Sequence, residues 1–273
     1  MSRPERVSIL GVGNLGTCVA RGLVSSGEFE AANVLLTRRR PELLSSLRDD
    51  GFPVGSDNVA AVRESDVVVL CVQPQQLDGV LAEVAPAITP AHIVVSTVSG
   101  VSIAEIRRFL GPDVAVVRAM PNIGIAIGQS MTCLAADEAS AAAVGVAHAL
   151  FDQLGHTLEV QEEQMVPATA LCACGIAFFL RAIRAASQGG IEIGFHADEA
   201  LALAAQTARG AAELLLSSGN HPEIEIDRVT TPKGCTIYGL NEMENRGFSS
   251  ALIRGIITAS VKAAELYPHA ASE

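Results

Sequence analysis

The stretch Val7-Ser8-Ile9-Leu10-Gly11-Val12-Gly13-Asn14-Leu15-Gly16 decides the fold of this chain. A short β-rich run leads directly into a G-x-G-x-x-G motif, and the motif opens a helical pattern. In such a unit, Gly11 permits a tight turn, Gly13 leaves room for a pyrophosphate, and Gly16 lets helix and strand pack closely. The phosphates would lie at the positive end of the helix. The stretch therefore predicts a dinucleotide site formed by Gly11, Gly13, Asn14 and Leu15.

Further β-rich runs alternate with helical patterns at 34–36, 67–72, 93–95 and 114–117, and runs at 130–134 and 158–160 would extend the sheet. Because these runs are apolar throughout, we expect strands that helices cover on both faces. After about residue 164 the strand signal stops, and Ala/Leu-rich segments follow at 166–187, 198–217 and 234–266. We predict an α/β Rossmann-type doubly wound sheet over 1–164, followed by an all-α domain over 165–273.

The charge and composition of the chain limit which binding partners and which cellular location we expect. The formal net charge of -11 argues against nucleic acid and anionic membranes, which would repel the chain's mean field. The first β-rich run begins close to Met1, which leaves no room for a targeting segment, and no run reaches about 20 uninterrupted apolar residues. We therefore expect a cytoplasmic protein with no membrane partner. The apolar helical half is expected to need a partner subunit, in a homodimer or a higher homo-oligomer built of dimers.

The six cysteines are expected to be reduced core thiols, since none forms a C-x-x-C pair. Cys172 and Cys174 are too close in a helix to face one ligand. We predict no metal site.

The end of the second strand indicates which dinucleotide is bound. An NAD-specific site normally has Asp or Glu there, about 20 residues after the glycine motif, but this chain has Thr37-Arg38-Arg39. A hydroxyl and guanidinium groups bind a 2′-phosphate that a carboxylate would repel, so Arg38 favours NADPH, with NADH weaker. Other segments at the carboxyl edge of the sheet complete the predicted cofactor site with Asn58, Val72, Gln73, Pro74, Ser99 and Gly100.

A hydroxyl-rich loop with Pro and Gly, within 229–240, opens a late helix. Its free backbone N–H groups at Gly234, Cys235 and Thr236 form a ready carboxylate site. On physical grounds alone, an ordinary helix cap explains the same residues.

This loop, which reads Thr231-Pro232-Lys233-Gly234-Cys235-Thr236, resembles the T/S-x-P-G-G-x-T-type signature of the pyrroline-5-carboxylate reductase family. The resemblance also covers the glycine loop, Val72-Gln73-Pro74, Met120-Pro121-Asn122 and segments at 168–177, 204–207 and 247–248. It implies a Rossmann domain joined to a helical dimerisation domain that binds a cyclic imino acid at the subunit interface.

The resemblance also implies residue roles in the NADPH-dependent reduction of 1-pyrroline-5-carboxylate to L-proline. Backbone donors at Gly234 and Cys235 would hold the substrate carboxylate. Thr236 would be the catalytic residue, with its hydroxyl bonded to the ring nitrogen, and Thr231 would complete the substrate loop.

Several positions depart from the family pattern and leave alternatives open. Gln73 replaces a Lys, Ile123 follows Met-Pro-Asn, 172–177 replaces S-G-S-G-P-A, and Lys233 replaces a Gly. The chain could reduce a different cyclic imine, or be a non-catalytic NADPH-binding regulator. A hydroxy-acid dehydrogenase would need a proton donor, commonly Lys, early in the long helix, but the only lysines are Lys233 and Lys262.

Overall fold

A mostly parallel sheet organises the first half of the chain in this computed structural model, which describes residues 4–267. Within that part of the chain the strand order is β3-β2-β1-β4-β5-β6-β7-β8. Strands β1 to β6 are parallel, β7 pairs antiparallel with β6, and β8 is parallel to β7. The strands are β1 Val7–Leu10, β2 Val34–Thr37, β3 Val54–Gly55, β4 Val67–Leu70, β5 Ile93–Ser96, β6 Ala115–Met120, β7 Ser130–Ala136 and β8 Gly155–Glu159. The predicted doubly wound sheet is confirmed.

The helices follow the strands and then dominate the second half of the chain. Those of the sheet region are α1 Asn14–Ser25, α2 Ser45–Asp49, α3 Asn58–Arg63, α4 Leu77–Val84, α5 Ile103–Leu110 and α6 Ala141–Phe151. Those that follow are α7 Met165–Ala168, α8 Gly175–Glu192, α9 Ala197–Ser218, α10 Pro222–Val229, α11 Cys235–Asn245 and α12 Phe248–Ala264. A π-helical turn, Thr169–Ala173, lies between α7 and α8.

Two apolar cores explain why the strands are apolar throughout. Successive side chains of a strand point to opposite faces, and in β4 Val67 and Val69 join one core while Val68 and Leu70 join the other. Helices α1 and α6 cover the first face, and α3, α4 and α5 cover the second. Both faces are therefore closed to water, and the carboxyl edge of the sheet stays open for a ligand.

Three local features differ from the predicted elements. Strand β3 was not predicted, because two residues are too few to give a periodic signal. The helix predicted over 234–266 is broken into α11 and α12 at Gly247, whose φ of 79° ends the first of them. The π-helical turn interrupts the first long helical segment.

The chain divides into two compact units. The first contains Met1–Cys174 with Ala259–Glu273, and the second contains Gly175–Thr258. The boundary predicted after residue 164 stays a proposal.

One helical stretch, Glu162–Glu192, is long and apolar enough to cross a membrane by length and composition alone. This finding qualifies the expectation that no segment reaches that size. Within the second unit α8 packs on α9, where a Cβ added to Gly190 would lie 3.0 Å from the Ala200 Cβ.

Candidate functional site

A cavity of about 670 Å³ opens at the carboxyl ends of β1, β2 and β4. Six of the predicted cofactor residues line it: Gly11, Gly13, Arg38, Asn58, Val72 and Gln73. Others that line it include Val12, Gln75, Gln76, Gly79, Val80 and Glu83. The fold thus brings the glycine motif, the arginine run and the segment after β4 to one place.

The glycine turn is built as the motif predicts. Gly11 has a φ of +81°, and a Cβ there would collide with the Val72 side chain and lie 3.2 Å from its Cα. The N–H groups of Gly11 and Val12 donate to the Thr37 carbonyl at 3.0 and 2.9 Å, which ties the turn to β2. Helix α1 begins next, and its N-cap residue, Gly13, has no side chain that could accept hydrogen bonds from the first turn. The N–H groups of its first turn are therefore directed at the space where phosphate oxygens would bind.

The arginine run supplies positive charge to the same cavity. Arg38 is half-buried, whereas Arg39 and Arg40 are exposed, and all three line the cavity. Across residues 4–267 no carboxylate forms an ion pair with any of them. The Arg38 N–H donates to the Gly55 carbonyl at 3.1 Å, which fixes the start of this loop. Unpaired guanidinium groups in a cavity fit a phosphate-bearing ligand.

Asn58 is held between two side chains at the cavity wall. The buried Thr37 hydroxyl donates to Asn58 Oδ1 at 2.6 Å, and Asn58 Nδ2 donates to Glu83 Oε2 at 3.0 Å. Sequence reasoning identified Asn58 but missed Glu83. No local signal could have found Glu83, because it lies within α4 and only the fold brings it to Asn58.

The remaining predicted cofactor residues lie outside the lining of this cavity. Asn14 and Leu15 are in the first turn of α1, and Pro74 starts a 3-10 turn after Gln73. The Ser99 hydroxyl lies 3.9 Å from Met120 Sδ, and Gly100, with a φ of +81°, packs against the end of α12. Their cofactor roles stay predictions.

A turn after β6 is fixed by Asn122. Its Oδ1 accepts a hydrogen bond from the Gly124 N–H at 2.8 Å, and its own N–H donates to the Ser130 hydroxyl at 3.2 Å. Its Nδ2 donates to the Cys172 carbonyl at 3.3 Å. Asn122 thereby links the carboxyl end of β6 to the π-helical turn.

Cys71, directly after β4, is half-buried and lines the cavity. Burial raises its pKa to about 11, although a hydrogen bond from the Thr97 hydroxyl acts in the opposite direction. Cys71 therefore stays protonated at neutral pH.

The predicted substrate loop precedes α11 in the second unit. Lys233, which stands where the family pattern has Gly, adopts a φ of 60°, a left-handed conformation that favours glycine. The Gly234 N–H donates to the Thr231 carbonyl at 2.9 Å. The prediction of a free donor at Gly234 is therefore wrong, because this N–H closes the turn within the loop. A Cβ on Gly234 would collide with Thr231 Oγ1.

The open donors of this loop begin one residue later. Gly234 is the N-cap of α11 and makes no side-chain cap hydrogen bond, so the N–H groups of Cys235 and Thr236 are available to an anion. Cys235 is exposed and Thr236 is half-buried. Within residues 4–267 no hydrogen bond involves the Thr236 hydroxyl. The substrate roles of Thr231, Cys235 and Thr236 stay proposals, whereas Gly234 is left as the N-cap of the helix.

Comparisons with known proteins cover nearly the whole chain. A family model described as pyrroline-5-carboxylate reductase dimerisation matches residues 162–266. A second, described as NADP oxidoreductase coenzyme F420-dependent, matches residues 6–100.

Curated relatives agree with these matches. Pyrroline-5-carboxylate reductase 1 of Dictyostelium discoideum is 53% identical across 96% of this chain, and the chain spans 50% of that longer protein. Pyrroline-5-carboxylate reductase 2 of the same organism is 44% identical, with 96% of this chain and 93% of that protein covered.

A solved structure has the same fold. The crystal structure of Plasmodium falciparum pyrroline carboxylate reductase with NADP bound superposes with a TM-score of 0.88 at 21% identity, covering 96% of this chain and 98% of that one. Because pyrroline-5-carboxylate reductase 2 is matched along almost its full length at 44% identity, the chain belongs to the pyrroline-5-carboxylate reductase family.

Proposed function

We infer that this chain catalyses the NADPH-dependent reduction of 1-pyrroline-5-carboxylate to L-proline. The observation that carries this conclusion is the 44% identity to a pyrroline-5-carboxylate reductase over 93% of that relative's length. The reaction is a reduction of a C=N bond, and the chain is an oxidoreductase that uses a nicotinamide cofactor.

The residues around the first-unit cavity fit NADPH. The cavity has a turn at Gly11 that a side chain would fill, an uncapped helix N-terminus at Gly13, and three arginines that form no ion pair within residues 4–267. Arg38 is proposed to bind the 2′-phosphate, and the N–H groups of Asn14 and Leu15 to bind the pyrophosphate. When bound, NADPH supplies the hydride, and this chemistry belongs to the cofactor.

The substrate loop is proposed to hold the imino acid by its carboxylate. The N–H groups of Cys235 and Thr236 lie at the positive end of α11, where an anion is stabilised. The Thr236 hydroxyl would hydrogen-bond the ring nitrogen. A threonine hydroxyl is too weak an acid to protonate an imine alone, so the substrate binds protonated or takes its proton from water, and Thr236 orients it. Orientation of reacting groups contributes about 7 to 11 kcal/mol at the extreme.

The second unit is proposed to bind a second copy of the chain. Its helices expose large apolar side chains, among them Phe179, Leu180, Leu201, Leu203 and Leu216. The family model for dimerisation covers this region. We propose that a partner subunit covers the apolar face of Glu162–Glu192, and that the assembly, a dimer or a higher oligomer of dimers, is cytoplasmic.

The test is the initial rate of NADPH oxidation by the purified protein with 1-pyrroline-5-carboxylate. The same assay is run with the piperideine-carboxylate analogue, whose ring is one carbon larger, and with NADH in place of NADPH. We expect the fastest turnover with the pyrroline ring and NADPH.

A second candidate is the reduction of a different cyclic imine. The exposed Ile123 after β6 and the exposed Gln73 in the cavity motivate it, because both replace residues of the family pattern. Turnover restricted to the larger ring would favour this candidate. NADPH binding without turnover of any imine would indicate a non-catalytic regulator and contradict the proposed function.

A further inference from the structure

Two cysteines of the first unit lie close together outside the cofactor cavity. Cys133, on β7, is 4% exposed, and Cys172, in the π-helical turn, is half-buried. Their Sγ atoms are 3.8 Å apart. The sulfur atoms of a disulfide are about 2.05 Å apart, so a shift of less than about 2 Å would bring them to bonding distance.

The two thiols differ in acidity because one hydrogen-bonds the other. The hydrogen bond between the two sulfurs lowers the pKa of Cys172 to about 7 against the opposing effect of burial. The same bond, together with burial, raises the pKa of Cys133. The thiolate is the nucleophilic form of cysteine. At neutral pH Cys172 is therefore the more reactive of the two, and Cys133 stays a protonated thiol. By contrast, Cys71 has its pKa raised to about 11.

The two sulfurs also differ in how firmly the backbone holds them. Cys133 lies opposite Met120 of β6 and Leu158 of β8, so β7 is paired on both sides at this point. Cys172 belongs to a π-helical turn, an arrangement that is rare and usually short. A bond between the two would therefore displace the turn rather than the sheet.

We propose that Cys172 is an oxidation site for hydroperoxides and that Cys133 is its resolving cysteine, so that the pair forms an intramolecular disulfide. The Cys172 thiolate attacks hydrogen peroxide, an Sγ–O bond forms, the O–O bond breaks, and hydroxide leaves. The Cys133 thiol then loses its proton to that hydroxide, giving water, and attacks the Cys172 sulfur. The S–S bond forms as the S–O bond breaks, and the departing hydroxide combines with a proton from solvent, which balances the proton that Cys172 released when it formed its thiolate. In total, two thiols and one peroxide become one disulfide and two waters.

Oxidation is expected to disturb the turn after β6. Asn122 Nδ2 binds the Cys172 carbonyl at 3.3 Å, so displacement of the π-helical turn pulls on Asn122. A loss of imine reduction that dithiothreitol restores follows from this contact. This consequence rests on the proposed function, whereas disulfide formation does not.

The experiment maps the disulfide in the full-length protein after treatment with hydrogen peroxide and alkylation of the remaining thiols. No Lys or Arg lies between Arg118 and Arg181, so trypsin alone leaves Cys133 and Cys172 in one peptide. Added Glu-C protease, which cleaves after Glu138 and Glu163, separates them. We expect peptides 119–138 and 164–181 to be linked, and the link to disappear on reduction.

Three cysteine variants sharpen the test. Cys172→Ser should abolish the link, and Cys133→Ser should leave a sulfenic acid on Cys172 that dimedone traps. Cys174→Ser is the matched control, since Cys174 lies two residues along the chain from Cys172, and it should keep the link. A disulfide between Cys172 and Cys174, or no disulfide while other cysteines are oxidised, would overturn the proposal.

A measurement on the unmodified protein guards against misfolded variants. The rate of iodoacetamide labelling at Cys172 should rise with pH to half its maximum near pH 7. Labelling at Cys71 should rise only near pH 11, because burial keeps its thiol protonated. A Cys172 profile that matches that of Cys71 would overturn the proposed reactivity. If fully disulfide-linked protein turns over as fast as the reduced sample, only the proposed effect on turnover through Asn122 is overturned, and the disulfide itself is not.

Discussion

Arg38 carries the charge on which the proposed preference for NADPH depends. Its side chain lines the cavity, and no carboxylate in residues 4–267 forms an ion pair with it. One charge-assisted hydrogen bond contributes about 1.5 to 3 kcal/mol. We therefore expect Arg38→Ala to raise KM for NADPH about tenfold or more and to change KM for NADH little, as measured by initial rates with each cofactor.

Arg48 provides the control for this substitution. It is an exposed arginine of α2 that does not line the cavity. Arg48→Ala should leave both KM values unchanged. Equal effects of Arg38→Ala on the two cofactors would contradict the assignment of Arg38 to the 2′-phosphate.

Thr236 is the residue whose hydroxyl is proposed to orient the imine. It is half-buried in the first turn of α11, and the described residues give its hydroxyl no hydrogen-bond partner. A neutral hydrogen bond contributes about 0.5 to 1.5 kcal/mol, so Thr236→Ala should lower kcat/KM for the imine by about 2- to 10-fold. NADPH affinity, measured by fluorescence titration, should stay nearly the same.

A conservative variant separates orientation from simple packing. Thr236→Ser keeps the hydroxyl and should keep most of the turnover. If Thr236→Ser loses as much activity as Thr236→Ala, the methyl group matters and the proposed hydrogen bond to the ring nitrogen is wrong.

Glu162 lies in a turn before α7 and hydrogen-bonds to both α5 and β6 of the first unit. Its Oε1 accepts hydrogen bonds from the Ile103 N–H of α5 at 2.7 Å and from Arg118 Nη1 of β6 at 3.3 Å. Arg118 is 4% exposed, and its Nε and Nη2 have no partner among residues 4–267. Burial lowers the pKa of Arg118, and the charge and hydrogen bond of Glu162 oppose that effect.

Removal of the Glu162 charge should therefore destabilise the unit. Breaking a buried ion pair lowers the free energy of unfolding by about 3 to 5 kcal/mol. Because the Glu162 side chain is 30% exposed, we expect a smaller loss, of about 1 to 3 kcal/mol, for Glu162→Gln. Thermal unfolding should shift to lower temperature by several degrees. Glu163→Gln, at an exposed neighbouring position, should unfold like the unmodified protein. Identical unfolding of both variants would show that the buried guanidinium does not need its partner.

How far the sequence predicts an element depends on how local its cause is. The strand β1 and the turn at Gly11 were predicted because a buried parallel strand and a phosphate loop each leave a short continuous signature. Strand β3 has two residues and leaves none. The break at Gly247 was not predicted, because residues compatible with a helix lie on both sides of it.

The same distinction between local and long-range causes applies to the candidate site. Arg38 and the glycine motif lie within single segments of sequence, and their meeting in one cavity follows from strand order. Glu83 meets Asn58 across 25 residues, and Cys133 meets Cys172 across 39. These contacts depend on tertiary packing, which no local pattern records. The engagement of the Gly234 N–H by Thr231 is likewise a detail of turn geometry.

At the scale of the whole molecule, the exposed apolar side chains of the second unit require a partner surface. Leu201, Leu203 and Leu216 of α9 are 53%, 51% and 75% exposed. Exposed large apolar side chains in such number are typical of protein or membrane interfaces. The family model for dimerisation covers all three residues and favours a second copy of the chain.

The assembly can be tested by placing a charge on this surface. In a two-fold symmetric interface each substitution occurs twice, so Leu203→Glu would bury two unpaired carboxylates and should weaken the dimer by at least about 100-fold. Sedimentation velocity without detergent should then show monomers at concentrations where the unmodified protein is oligomeric. Leu43→Glu is the matched control, because Leu43 is 50% exposed and lies outside residues 162–266. A monomeric unmodified protein, or equal masses for all three proteins, would contradict the proposed interface, and circular dichroism would establish that each variant is folded.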